Sequence, residues 1–373
     1  MRLARVHYTA ALALLLSACS SGEDSETGGA GGGGSRLSPS ALAELDALGV
    51  NDYRGKAVIT NEVNSNGAVR VTFDQSSGPI CYLGAEFAAF YVDRGSDKTM
   101  ILLDGGGACW SDLCAASDTA DATVAPIGPA SEDPSNYFHD WNLVFAPFCD
   151  GSVFSGDNDY LNGPTLWRFH GRQNLAAALD LAAEHFGDSK QVLIGGFSAG
   201  GYGSIPGMIA TRLVYPDADI FVMDDSGPGI QNPAQATQIQ HRIDEWQFAT
   251  MIPASCTECD GGHGQLTALF SWMLKNDSTM KISVLSYFED GVIGTTFNGL
   301  DGAAYKELLV TETGKVQSAY PDRFKRFMLP GTSHVVSAGW PSITANGVTV
   351  ASWVTAMATG DDTVWKDILA TGP

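Results

Sequence analysis

The chain has 373 residues, a formal net charge of −21 and 44% apolar residues. That acidity excludes nucleic acid as a partner, because phosphate binding needs a basic face. The apolar share is enough for a large core, and about 330 residues beyond an N-terminal segment is a size that α/β folds reach as one domain.

The first 19 residues read as a targeting segment. Arg2 and Arg5 give a charged start, and residues 9–16 are apolar but too short to cross a bilayer. Leu16-Ser17-Ala18-Cys19 resembles a bacterial lipobox, which implies cleavage before Cys19 and diacylglycerol on its sulfur. A plain signal peptide is the alternative. Ser20 after the cysteine goes with outer-membrane sorting in Gram-negative lipoproteins. The expected location is therefore outside the cytoplasm, at the outer membrane or cell surface, with the Cys19 lipid as the only membrane contact. Residues 20–35 are rich in Gly and Ser and read as a flexible tether, leaving 36–373 as the folded domain.

Ser38-Pro39 is a cap and first-turn pair, and predicts a helix reaching Gly49. Residues 56–75 alternate around Asn64-Ser65-Asn66-Gly67, a hairpin pattern. Strands are expected over 86–93, 98–103 and 140–148, and a helix over 174–186. The run Val192-Leu193-Ile194 is a buried strand, then small residues crowd around Ser198, then a helix is expected over 205–213. A strand over 219–223 follows, then helices over 233–250 and 264–275, strands over 281–288 and 324–329, and a helical end over 352–369 broken at Gly360. Strands alternating with helices predict a mostly parallel central sheet with helices on both faces. Six cysteines remain once Cys19 is set aside, an even number in an exported chain. Spacing pairs Cys109 with Cys114 and Cys256 with Cys259, leaving Cys81 for Cys149. A zinc site on Cys256, Cys259 and His263 is the rival use of that second pair.

Strand, sharp turn and helix around Gly196-Phe197-Ser198-Ala199-Gly200 form the nucleophile elbow of an α/β-hydrolase. The glycines are needed because a side chain at 196 or 200 would meet the neighbouring helix or strand. A serine hydroxyl needs a base, and this fold keeps the order Ser, acid, His. Of His241, His263 and His334, only His334 follows a strand and a turn, at the sheet edge where Ser198 sits. The acid should end a strand between them. Asp290 is the first candidate, Glu289 the alternative and Asp225 the third. Its task is to accept from the imidazole Nδ1–H. Oxyanion donors are expected from the backbone of Ala199 and from the Gly105-Gly106-Gly107 loop, with Gly106 and Gly107 as the best placed. Nearness to these motifs makes Trp110, Phe154 and Tyr202 the candidate pocket residues.

Four segments carry a resemblance. They are Leu103-Asp104-Gly105-Gly106-Gly107-Ala108-Cys109, the stretch 141–157 with its Phe148-Cys149-Asp150-Gly151 turn, the Gly195–Gly201 elbow, and Asp225-Ser226-Gly227. Together, in this order, they resemble the pectin acetylesterase and Notum carboxylesterase family, over a span from about Cys81 to His334. The resemblance implies an α/β-hydrolase fold, a Ser–Asp–His triad and no cofactor or metal. It carries over Ser198, Ala199, Gly106, Gly107 and His334. At the acid the family has Tyr-Asp-Ser-x-Gln-Ile where this chain has Tyr287-Phe288-Glu289-Asp290-Gly291-Val292-Ile293; aligning the final Ile favours Glu289, matching residue type favours Asp290. The expected function is a serine carboxylesterase, first on an O-acetylated polysaccharide such as pectin. A short-chain or lipid acyl ester, or a polyester, is the second substrate expectation. A surface-binding lipoprotein without turnover is the rival of another class.

Overall fold

The computed structural model describes residues 35–340 and 342–371. The leader, Cys19 and tether residues 20–34 lie outside them.

Ten strands form one sheet: β1 (Ile59–Ser65), β2 (Ala68–Phe73), β3 (Ala88–Val92), β4 (Lys98–Leu103), β5 (Asn142–Ala146), β6 (Gln191–Phe197), β7 (Asp219–Asp225), β8 (Lys281–Tyr287), β9 (Phe324–Leu329) and β10 (Ile368–Leu369). Their spatial order is β1-β2-β3-β5-β4-β6-β7-β8-β9-β10. The contacts β1–β2, β2–β3 and β3–β5 are antiparallel, and every contact from β5–β4 to β9–β10 is parallel. The first hairpin closes through Asn66-Gly67, both at positive φ as a two-residue loop requires.

Parallel strands are covered on both faces, so β4 reads as a continuous apolar run rather than an alternation. Its residues still part company by face. Ile101 and Leu103 join the core under helices α1 (Pro39–Ala47), α2 (Gly171–Phe186), α3 (Ala199–Val214), α4 (Ala236–Trp246), α5 (Ala268–Asn276) and α6 (Gly302–Ala319). Met100 and Leu102 join a second core with α7 (Val350–Thr359), Phe138, Trp141 and Trp365. The covering is uneven: among the described residues α7 is the one α-helix on the second face, and irregular chain with short 3₁₀ turns completes it. Ser38 caps α1 as expected, its Oγ accepting the Ala41 N–H at 3.2 Å.

Three expected elements differ. Helix α3 begins at Ala199, not near 205, because contacts to the sheet override the poor helix propensity of its early glycines. The helix expected over 233–250 is α4 flanked by short 3₁₀ turns, ended by Gln247 in the left-handed region. Residues 361–369 are not helical: Gly360 ends α7 at φ 75°, and Ile368 and Leu369 pair with Phe327 and Met328 as the edge strand β10. Among the described residues no helix is long and apolar enough to cross a membrane.

Candidate active site

The turn between β6 and α3 holds Ser198 at φ 58° and ψ −116°, a strained conformation for a residue with a side chain. The surroundings fix it. Ser198 donates its N–H to the Asp225 carbonyl at 2.8 Å, and its own carbonyl accepts from Tyr202 at 3.1 Å. A Cβ on Gly196 or Gly200 would run into the Leu103 carbonyl, so glycine at both positions lets α3 start against the end of β4.

His334 lies beyond β9 and Asp290 beyond β8, at the carboxyl edge that also carries Ser198. His334 Nδ1 and Asp290 Oδ2 are 2.7 Å apart. Asp290 is buried, and its Oδ1 accepts the N–H groups of Val292 at 2.9 Å and Ile293 at 3.0 Å. A carboxylate acceptor at Nδ1 leaves Nε2 as the basic nitrogen, and Nε2 is buried without a hydrogen-bond partner.

The other two acids do different things. Glu289 packs its side-chain carbons against Gly302 at the start of α6. Asp225 holds the histidine loop: its Oδ1 accepts from Val336 N–H at 2.9 Å and Ser226 Oγ at 3.0 Å, and its Oδ2 from Ser337 N–H at 2.6 Å. Ser226 Oγ also accepts the Val335 N–H at 3.1 Å. Val335 is itself at φ 64°, unusual for a β-branched residue, so this anchorage offsets strain immediately beside His334. Asp225 therefore touches the serine turn through its carbonyl and the histidine loop through its carboxylate. Burial raises its pKa, and that of Asp224 further. His241 faces Asp112 at 2.6 Å, and His263 is exposed at the end of a 3₁₀ turn; neither is drawn into this group.

The glycine loop after β4 runs into a small hairpin, Gly107–Trp110 with Leu113–Ala116. It is clamped from several sides: by the Cys109–Cys114 disulfide, by Cys109 N–H to Gly151 O at 2.7 Å, by Trp246 Nε1 to Cys109 O at 2.7 Å, and by Ser111 N–H to Glu245 Oε2 at 2.8 Å. Gly107, Ala199 and Ser198 line one cleft of about 620 Å³, counting its solvent-open mouth. Gly106 stands just behind, against Phe148 and Ser117. Trp110 and Tyr202 line the cleft. Phe154 does not: it is fully buried, with its ring on Phe148 at 5.6 Å, while Val153 and Ser155 on either side form the wall. Sequence reasoning also missed Arg242, Trp246, Phe297 and Asn298 in this lining, since they come from α4 and a turn with no motif around them.

Asp104, which opens the glycine loop, has its pKa pushed up to about 7, first by burial and also by nearby Asp121. An unfolded aspartate titrates near 3.8, so the folded chain binds more protons between those values. Asp104 thus stabilises the fold at low pH, and the contribution is lost as pH rises through about 7. Asp104→Asn should flatten the slope of thermal stability between pH 5 and about 8 relative to the parent protein. Superimposable melting-temperature profiles would refute this assignment.

The disulfides join Cys81–Cys149, Cys109–Cys114 and Cys256–Cys259. The last removes both thiolates from the zinc alternative, and among the described residues no His, Cys, Asp and Glu cluster is arranged to hold a metal.

A large, mostly parallel sheet wrapped by helices, with a strained serine at a strand–helix turn, defines an α/β-hydrolase-like protein. The family model for pectinacetylesterase matches residues 61–260, more than half of the chain. The chain belongs to the pectinacetylesterase family. The match takes in the glycine loop, the elbow and Asp225 and stops short of Asp290 and His334, so it is narrower at that end than the resemblance read from the motifs. Pectin acetylesterase 5 of Arabidopsis thaliana is 35% identical over 125 residues, which is 30% of this chain and 29% of that protein. Pectin acetylesterase 7 of the same plant is 25% identical over 186 residues, 44% of this chain and 47% of its own length. Pectin acetylesterase 4 is 31% identical over 148 residues, 36% of each. The chain thus spans between 29% and 47% of the length of these curated relatives.

Proposed function

We propose that this protein is a serine carboxylesterase that removes acetyl groups from an O-acetylated polysaccharide such as pectin. Ser198 attacks the ester carbonyl. His334 Nε2 takes its proton and returns it to the leaving alcohol, while Asp290 holds the imidazole and balances its charge. The N–H groups of Ala199 and of Gly106 or Gly107 stabilise the oxyanion. Water attacks the acyl-enzyme to release acetate. The observation that carries the reading is the Asp290–His334 pair, with a free, shielded Nε2, on the sheet edge that presents a strained serine. That the relatives are pectin acetylesterases supports acetyl as the acyl group and pectin as its carrier.

One observation favours a second substrate reading. The cleft is walled by Trp110, Trp246, Phe248 and Phe297, an apolar lining of the kind that suits an acyl chain. Longer acyl esters, including lipid or polyester segments, match such walls in chemistry. We further propose that the protein is exported and lipidated on Cys19, on the strength of the Leu16–Cys19 motif.

One experiment tests activity and anchoring together. The full chain, expressed in a Gram-negative host, should be labelled by a fluorophosphonate at Ser198, release acetate from acetylated pectin and carry radiolabelled palmitate that Cys19→Ala abolishes. A folded protein that neither labels nor turns over acetylated pectin or any 4-nitrophenyl ester from acetate to palmitate would move the reading to the non-catalytic binder. Palmitate label that survives Cys19→Ala would remove the anchor.

A further inference from the structure

Four arginines are buried among the described residues: Arg172, Arg212, Arg242 and Arg326. Three of them meet a carboxylate. Arg172 pairs with Asp157 at 2.9 Å, Arg212 with Asp277 at 2.6 Å and Arg326 with Asp367 at 2.7 Å. That is the ordinary solution, because withdrawing a guanidinium from water is costly unless an anion replaces the water. Arg242 is the exception. It is 8% exposed and has no carboxylate within ion-pair range among the described residues, in a chain with twice as many acids as bases. Its one hydrogen bond is long, from Nη2 to Gln231 Oε1 at 3.4 Å. Nearby Asp112 is already taken by His241 at 2.6 Å.

What surrounds Arg242 is a built site. The guanidinium carbon lies 4.9 Å from the Trp110 ring centroid, within cation–π range. Gln231 is fixed in turn, its Nε2 donating to Gly262 O at 2.9 Å and Gly264 O at 2.6 Å, so its oxygen is aimed at the arginine. Arg242 lines the same cleft as Ser198. Burial lowers its pKa from the usual arginine value, in keeping with a cation held short of a partner. A planar fork of N–H donors, packed on a tryptophan and lining a mostly apolar cleft, matches a planar carboxylate.

We propose that Arg242 is the anchor for a carboxylate carried by the substrate, so that the esterase selects acidic esters over neutral ones. The inference rests on the serine esterase reading given above. The carboxylate has two possible sources: the acid group of a uronate residue bearing the acetyl ester, or a free acid at the far end of an acyl chain.

The test compares kcat/KM within matched pairs for the parent protein, Arg242→Gln and Arg242→Lys. O-acetylated oligogalacturonate is set against its methyl ester, and 4-nitrophenyl hemiadipate against 4-nitrophenyl hexanoate. In one pair the parent should prefer the acid by about 10- to 100-fold, the worth of a charge-assisted bidentate contact. Arg242→Gln should collapse that ratio to near one, and Arg242→Lys, with charge but no fork, should fall between. The pair that responds identifies the source. No preference for the acid in either pair, or a preference that survives Arg242→Gln, overturns the proposal. Failure of the esterase reading looks different: no turnover of the neutral members and no phosphonate label on Ser198. In that event calorimetric titration of trigalacturonate and of adipate decides. Binding by the parent that Arg242→Gln loses supports the anchor, and binding that is absent or equal in both removes it.

Discussion

Ser198→Ala is expected to lower kcat on any ester the protein hydrolyses by about 10⁶-fold while leaving the fold intact. The size follows from how the group works. On the proposed mechanism the Asp290–His334 pair then has no hydroxyl proton to move, and what remains is binding plus the oxyanion donors. His334→Ala should cost about as much, and the double variant little more than either, because the two act as a unit. The fold should survive because alanine keeps the Cβ at φ 58°, so the strain of the turn is unchanged, and the N–H to Asp225 and carbonyl to Tyr202 bonds are backbone bonds. The control is a melting temperature within about 2 °C of the parent, since stability effects away from core and network changes stay near ±0.5 kcal/mol. Residual turnover above one per cent, in protein free of contaminating esterase, would show that Ser198 is not the nucleophile.

Much of this site is legible in the sequence because its chemistry forces local patterns. An elbow must place glycine two residues before and after the serine, and here the Leu103 carbonyl makes both glycines necessary. Strands β4 to β9 are legible for a related reason: buried on both faces, they are apolar runs bounded by turns. What escaped reading depends on contacts distant in sequence. Helix α3 starts within a glycine stretch that local propensity reads as loop, because those glycines let it pack on the sheet. The end of the chain lost its expected helix to an edge pairing with β9, about forty residues earlier in the chain. Phe154 sits between two cleft residues in sequence, yet its positive φ turns its ring into the core. Arg242 has no signature at all. Its significance comes from a carboxylate that is not there, and only the full set of neighbours reveals that.

The three candidate acids are separable by experiment because Asp290 holds His334, Asp225 holds the loop that carries it, and Glu289 holds neither. Asp290→Asn should lower kcat on the order of 10⁴-fold with little change in KM. The amide can still occupy the buried position, but it can present its NH₂ toward the ring, and His334 then adopts the tautomer whose Nε2 carries the proton. Accepting the Val292 and Ile293 amides at Oδ1 favours that wrong arrangement, since the asparagine oxygen is held there and the nitrogen is left for the imidazole. Glu289→Gln should stay within about twofold, because its side chain packs on Gly302 and makes no bond to the histidine. Asp225→Asn should behave as neither. One of its oxygens becomes a donor facing the Val336 or Ser337 N–H, and an unsatisfied buried donor costs about 1–3 kcal/mol. The melting temperature should therefore fall with activity as the loop carrying His334 loosens, whereas Asp290→Asn should lose far more activity than stability. If Asp225→Asn instead loses about 10⁴-fold at unchanged stability and Asp290→Asn loses little, the acid is on β7 and the Asp290 contact is only a brace for the loop after β8.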